Sequence, residues 1–296
     1  MRLEGTMTAL VTPFDAHGKF DSLTFAALVE RQIAAGIDGL VPCGTTGEAA
    51  TLTAEEQSDV ISTCVRAAAG RVPVIAGVGS SDTRVATELA AAAAAAGADA
   101  LLLVTPPYNK PTPTGLVAHF GAVAQAGGGR PIVFYNVPGR TAYDATPAVI
   151  AQVAAAVPEV ISVKEATGSM ERAAQCIEQF GDRLTTLSGD DFSLLPFYAL
   201  GGHGCISVLA NLAPERCVAL RAAAGAGDFE KARQIHYALR PLTAALFAST
   251  NPIPVKMAAA KMGLCGGGMR LPLVPLDDPS GLYSALAAGE VRLLIC

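Results

Sequence analysis

Hydrophobic and polar positions along the chain fall into two alternating patterns. Short runs rich in Val, Ile and Leu end in small or polar residues, and longer stretches with helical spacing follow them. The short runs are MTALVTPF (7–14), DGLVPCG (38–44), VPVIAGVG (72–79), ADALLLVTPP (98–107), RPIVFYNVP (130–138), VISVKEA (160–166), RLTTLSGDD (183–191) and GCISVLA (204–210). The stretches between them carry helix punctuation. Asp21 predicts the start of a helix that runs to about Ala35, with Gly36 ending it. Thr53 with Glu56 predicts a capping box ahead of EQSDVISTCVRAAA. Thr146 and Pro147 supply an N-cap followed by a proline at the first helical position, and Gly97 closes an alanine-rich helix.

Eight strand-like runs, each followed by a helical stretch at intervals of roughly 20 to 35 residues, predict an α/β fold of the (β/α)8 TIM-barrel type over residues 1–225. The runs read as buried on both faces, as parallel strands are. An open doubly wound sheet is the competing architecture, but no GxGxxG follows the first run. Beyond residue 225 the strand runs stop. DFEKARQIHYALRPLTAALFAS and NPIPVKMAAAKMG are helical in pattern, which predicts a C-terminal helical domain over 226–296.

Composition narrows the picture. About half of the 296 residues are apolar, enough for a large core, and tryptophan is absent, so that core is mostly Ala, Val, Leu and Ile. The formal charge of −5 comes without any Lys/Arg stripe, which argues against a nucleic-acid partner. A positive mean hydropathy raises the question of a membrane. However, no run of about 18 residues lacks polar or charged breaks, and residues 1–12 lack the layout of a secretory signal. The expectation is a cytoplasmic protein without a membrane partner. Seven cysteines, at 43, 64, 176, 205, 217, 265 and 296, show no CxxC spacing and read as free thiols. The four histidines lack ligand spacing, so no zinc site is expected.

In a parallel barrel the active site lies where strands end at their C-terminal side. The polar segments there are GTTGE (44–48), TPPYNKP (105–111), YNVPGRT (135–141), KEATG (164–168), SGDD (188–191) and ISVLAN (206–211). One of only six lysines, Lys164, sits at the end of a buried run. Alternation along a strand places Val160, Ser162 and Lys164 on one side and Ile161, Val163 and Glu165 on the other. An amine taken out of water favours its neutral form, and a neutral amine attacks a carbonyl to form a Schiff base. The plainer alternative is a lysine that snorkels from the strand end or pairs with Glu165. GTTGE offers two hydroxyls and backbone N–H groups that suit a carboxylate, although Gly-Thr turns are common. Tyr135, on the strand next to that of Lys164, can shuttle protons during imine formation or serve as a core aromatic. Arg140 can clamp a carboxylate or lie solvated on the surface. Tyr108 stands in a proline-rich loop where packing alone is also an explanation.

Taken in order, GTTGE, YNVPGRT, VKEATG, LSGDD, GGHGCISV, NPIPVK and RLPLVPL resemble the pyruvate-dependent class I lyase and aldolase family, and within it the dihydrodipicolinate synthase branch. The likeness spans nearly the whole chain. It implies that Lys164 condenses with pyruvate and that the enamine attacks L-aspartate 4-semialdehyde, giving the heterocycle 4-hydroxy-tetrahydrodipicolinate of lysine (diaminopimelate) biosynthesis. It further implies a proton relay of Tyr135, Thr46 and Tyr108, with Thr45 and Thr46 holding the pyruvate carboxylate. Gly189 and Ile206 would make backbone contacts near the lysine, and Arg140 would bind the second substrate's carboxylate. No metal or organic cofactor is implied, since the lysine is the electron sink. Sibling enzymes, sialic acid lyase and keto-deoxy-sugar acid aldolases, share the lysine and tyrosine, and Arg140 favours the short acidic aldehyde.

The resemblance also implies a homotetramer, a dimer of tight dimers, in which Tyr108 reaches the neighbouring subunit's relay. Pro107 stands before it where many members carry an aromatic. Positions 49, 50, 54, 57, 81, 85 and 107 correspond to a lysine-feedback cleft in sensitive members. Here they are Ala49, Ala50, Ala54, Gln57, Ser81, Val85 and Pro107. None is acidic, which predicts weak or absent inhibition by lysine.

Overall fold

The computed structural model describes residues 1–288. Each of the eight short apolar runs overlaps a strand, the first only over Met7–Ala9: β1 Gly5–Ala9, β2 Gly39–Val41, β3 Ile75–Gly77, β4 Ala100–Val104, β5 Ile132–Asn136, β6 Val160–Glu165, β7 Thr185–Ser188 and β8 Gly204–Ser207. All pair in parallel, in the order β2-β1-β8-β7-β6-β5-β4-β3. The two ends of that order meet. Leu40 bridges Val74 in parallel, the Leu40 N–H donates to Pro73 O at 3.0 Å, and the Gly77 N–H donates to Pro42 O at 3.0 Å. This closes the sheet into the predicted barrel.

The helices that cross over between strands are α1 Ser22–Ala34, α2 Ala54–Ala68, α3 Thr83–Ala95, α4 Pro113–Ala126, the single turn α5 Pro138–Thr141, α6 Pro147–Ala156, α7 Met170–Phe180 and α8 Leu194–Ala199, and α9 Pro214–Gly225 follows the last strand. Their starts follow the local chemistry. Asp21 accepts from Thr24 N at 3.0 Å, Thr53 and Glu56 complete the reciprocal capping box, and Thr146 caps α6 ahead of Pro147. Past the end of α1, Gly36 takes φ +81°, a backbone conformation that penalises any residue with a Cβ.

Two apolar layers result. Inside the barrel lie Met7, Val41, Ile75, Leu102, Val133 and Leu187. Between strands and helices lie Leu40, Leu101, Phe134 and Val163, facing residues such as Phe25, Val60 and Phe120 from the helices. The continuous hydrophobicity of the runs is thus real two-sided burial. Strict alternation fails at one place. The β5–β6 register shifts between Ile132 and Val133, so that Ile132 pairs with Val160 but Val133 pairs with Ser162. This bulge places Val160 in the outer layer with Val163 and leaves Ile161 against the barrel interior. Val160 therefore does not share a face with Lys164; Ser162 does.

After α9 come α10 Phe229–Leu246, α11 Ile253–Lys261 and α12 Ser280–Ala288. Leu239, Leu242, Leu246, Val255 and Ala258 from these helices belong to the same apolar layer as the barrel helices. The loop between α10 and α11 is thereby brought to the C-terminal ends of the strands, which matters for the site. The cysteines at 43, 64, 176, 205, 217 and 265 are free thiols, and Cys296 lies outside the described residues. Among the described residues no helix is long and apolar enough to cross a membrane.

Candidate active site

The C-terminal ends of the strands open onto a cavity of about 480 Å³. Parallel pairing sets Tyr135, Lys164 and Leu187 side by side on β5, β6 and β7. All three point inward, the first and last as members of the interior apolar cluster. Lys164 is only 6% exposed, and its Nζ lies 4.1 Å from the centroid of the Tyr135 ring. No ion pair among the described residues involves Lys164. Its neighbour Glu165 points outward instead. There it accepts from Asn136 Nδ2 at 3.0 Å and Thr167 N at 2.8 Å, with the Arg172 guanidinium 3.8 Å away. Burial pushes the Glu165 carboxyl up, against those hydrogen bonds and Arg172. The pairing of Lys164 with Glu165 that the sequence left open is thus excluded by the strand's own alternation.

Small residues around the lysine leave room for it. Below it, Ser162 is engaged with Thr185. Beside it, a Cβ added to Gly189 would stand 2.9 Å from Lys164 Cε and 2.6 Å from Ala166 Cβ. Gly189→Ala is therefore expected to displace the lysine and lower kcat/KM by about 10- to 100-fold. Single-turnover imine formation, measured beside thermal stability, checks this.

Thr45, Thr46, Arg140 and Gly189 line the same cavity as Lys164 and Tyr135. Six of the eight predicted site residues are thus brought together. The other two are not. Ile206 belongs to the packed interior beneath the cavity, paired with Met7, and Val208, two residues further on, lines the wall. Val208 lies just past the end of β8, in helical backbone, and reaches the cavity wall from there. Tyr108 is 89% exposed at φ +70°. Its backbone N–H is tied to Thr141 O at 3.2 Å, and its ring lies on the outer surface of the chain.

The sequence reading missed Asn251, in the loop between α10 and α11. Its Nδ2 donates to Thr46 Oγ1 at 3.0 Å, and its carbonyl accepts from Arg140 Nη2 at 2.9 Å. By accepting from Asn251, the Thr46 hydroxyl leaves its own hydrogen to donate elsewhere. Glu48, last residue of GTTGE, was also missed. Its side chain is fully buried and paired with Lys256 of α11 at 2.5 Å. Burial pushes the Lys256 amine down, and Glu48 opposes it. The local signals were the NPIPVK motif for Asn251 and GTTGE for Glu48, and neither says which distant segment it meets.

A second cavity of about 350 Å³ adjoins the first, with Ala49, Ala50 and Pro107 in its wall. It shares Thr45, Tyr135, Arg140 and Asn251 with the lysine cavity.

An unpaired inward lysine, hydroxyls on a tight turn and one arginine at the rim form a site for carbonyl chemistry on carboxylate-bearing substrates. The model of the dihydrodipicolinate synthetase family matches residues 2–283. The chain belongs to that family. It is 52% identical over 280 residues to the 4-hydroxy-tetrahydrodipicolinate synthase of Maridesulfovibrio salexigens, covering 95% of each chain. Among solved structures it is similar to the chloride-inhibited dihydrodipicolinate synthase of Acinetobacter baumannii complexed with pyruvate, at 41% identity and a TM-score of 0.94, covering 98% of this chain and 99% of that one. It is equally similar in fold to a monomeric dihydrodipicolinate synthase variant, at 36% identity and a TM-score of 0.94, covering 98% of each chain.

Proposed function

We propose that the protein is a Schiff-base lyase that condenses pyruvate with L-aspartate 4-semialdehyde to give 4-hydroxy-tetrahydrodipicolinate, a step of lysine biosynthesis. The observation that carries the reading is Lys164, nearly buried, without an ionic partner, and opening onto the cavity that Thr45, Thr46 and Arg140 also line.

The Lys164 amine attacks C2 of pyruvate and water leaves, giving the imine. Loss of a C3 proton gives the enamine, whose C3 attacks the aldehyde carbon of the second substrate while the new alkoxide takes up a proton. The second substrate's own amine then adds to C2 and expels Lys164, closing the ring. One water is lost overall. Tyr135 beside the amine and the Thr46 hydroxyl, held by Asn251, carry the protons. Thr45 and Thr46 hold the pyruvate carboxylate, Gly189 gives the lysine room, and Arg140 takes the carboxylate of the second substrate. Replacing Arg140 with Met is expected to raise KM for aspartate semialdehyde by about 10- to 100-fold and to leave pyruvate trapping intact. Steady-state kinetics with each substrate varied in turn checks the split. An assay offering pyruvate with aspartate semialdehyde, against cleavage of N-acetylneuraminate, tests the reaction itself. Turnover of the sugar acid alone would overturn the proposal.

Self-association as a dimer of dimers fits the exposed Tyr108, which needs a second subunit to meet any relay. A cytoplasmic location fits a biosynthetic enzyme. Feedback by lysine is expected to be weak or absent. The one acid lining the adjoining cavity is Glu48, and it is already engaged by Lys256 and by the Arg270 N–H at 3.0 Å. The ammonium of an effector would find no free carboxylate there. Initial rates over a lysine titration check this, and inhibition at sub-millimolar lysine would refute it.

A further inference from the structure

The turn that carries Thr45 and Thr46 is held from outside the barrel, by a buried ion pair more than 200 positions away in sequence. Glu48 takes φ +56°, the left-handed region that is unfavourable for a residue with a Cβ. Its N–H donates back to Thr45 O at 3.1 Å, and the preceding carbonyl, of Gly47, accepts from Thr12 Oγ1 at 2.7 Å. The conformation of residue 48 therefore sets the direction of the two hydroxyls before it.

Both carboxylate oxygens of Glu48 are committed. Oε1 takes the Lys256 amine and Oε2 takes the Arg270 N–H. Lys256 is fully buried, with its Nζ 4.0 Å from the centroid of the Phe14 ring. A buried ion pair adds little net stability, because desolvating two charges offsets most of their attraction. Well-packed apolar residues would fill the same space. What an ion pair supplies and an apolar pair does not is direction. Here two donors from two segments fix one carboxylate, and the carboxylate fixes a strained turn. The same C-terminal segment also reaches Thr46 directly, through Asn251, five residues before Lys256.

We infer that the Glu48–Lys256 pair is a positioning device for keto-acid binding: it clamps the Thr45–Thr46 turn to the segment bearing Asn251, so that the carboxylate site of the first substrate is preformed. This rests on the proposed reaction and deepens it. Neither residue lines the lysine cavity. Arg140 is carried by α5 and meets this segment through the Asn251 backbone carbonyl, not through the turn, so the effect falls mainly on pyruvate.

The test replaces the pair by neutral side chains of similar size, Glu48→Gln with Lys256→Met, in the full chain. Circular dichroism and thermal melting report folding, and borohydride trapping reports the imine. The expected result is a folded protein whose KM for pyruvate rises at least about tenfold. Its KM for aspartate semialdehyde stays within about twofold, and it still traps pyruvate at saturation. An unchanged KM for pyruvate, or equal rises for both substrates, overturns the inference. Should the double variant not fold, Glu48→Gln alone decides. It keeps the shape and removes the charge, and an unchanged KM for pyruvate again overturns the inference. Wild-type protein that traps no pyruvate sinks the reaction and this role together, whereas trapping with an unmoved KM sinks the role alone.

Discussion

Lys164→Met is expected to lower kcat/KM by on the order of 10⁴- to 10⁶-fold, the range associated with loss of a covalent nucleophile. Methionine keeps the unbranched stem and removes the amine, so the imine cannot form and no other group on the cavity wall replaces it. The fold is expected to survive. Lys164 has no carboxylate partner to leave stranded, and its side chain already packs against the Tyr135 ring among apolar neighbours. A thioether there is buried at no polar cost. The rate in a coupled assay and the melting temperature check the two halves separately. A variant that retains a tenth of wild-type turnover contradicts the covalent role.

Tyr135→Phe carries the second largest expected effect, a fall in kcat of about 10²- to 10⁴-fold, the contribution typical of general acid–base catalysis. The ring is retained, so the packing of Lys164 is preserved and only the hydroxyl is lost. The loss is expected in imine formation as well as in the later proton transfers, because dehydration at C2 needs an acid. Stopped-flow measurement of pyruvate consumption by enzyme in excess checks that step alone. A normal imine-forming rate with a slow overall turnover would move Tyr135 out of the first step and confine it to the later ones.

The eight strands were legible because a parallel barrel buries both faces of each strand, which leaves short, uninterrupted apolar runs bounded by turn residues. The helix starts at Asp21, Thr53 and Thr146 were legible because an N-cap is a local hydrogen bond between residues two or three apart. Lys164 followed from strand alternation, and Tyr135 from its place on the neighbouring strand. What escaped was non-local. The bulge at Val160 and Ile161 arises from pairing with β5 and has no signature within β6 itself. The contacts of Asn251 with Thr46 and of Lys256 with Glu48 each span more than 200 residues, beyond the reach of any periodicity. The side chain of Ile206 packs into the barrel interior, which a run of apolar residues does not distinguish from the cavity floor above it. The exposure of Tyr108 follows from how the loop after β4 is held, in part by its N–H bond to Thr141 O across the sequence.

The most direct test of the central claim is to incubate the protein with pyruvate, reduce with borohydride, and locate the modification by peptide mass spectrometry. The account predicts one carboxyethyl group per chain, on the peptide containing Lys164, and none in Lys164→Met. An unshifted mass, or the group on Lys256 or another lysine, would contradict it.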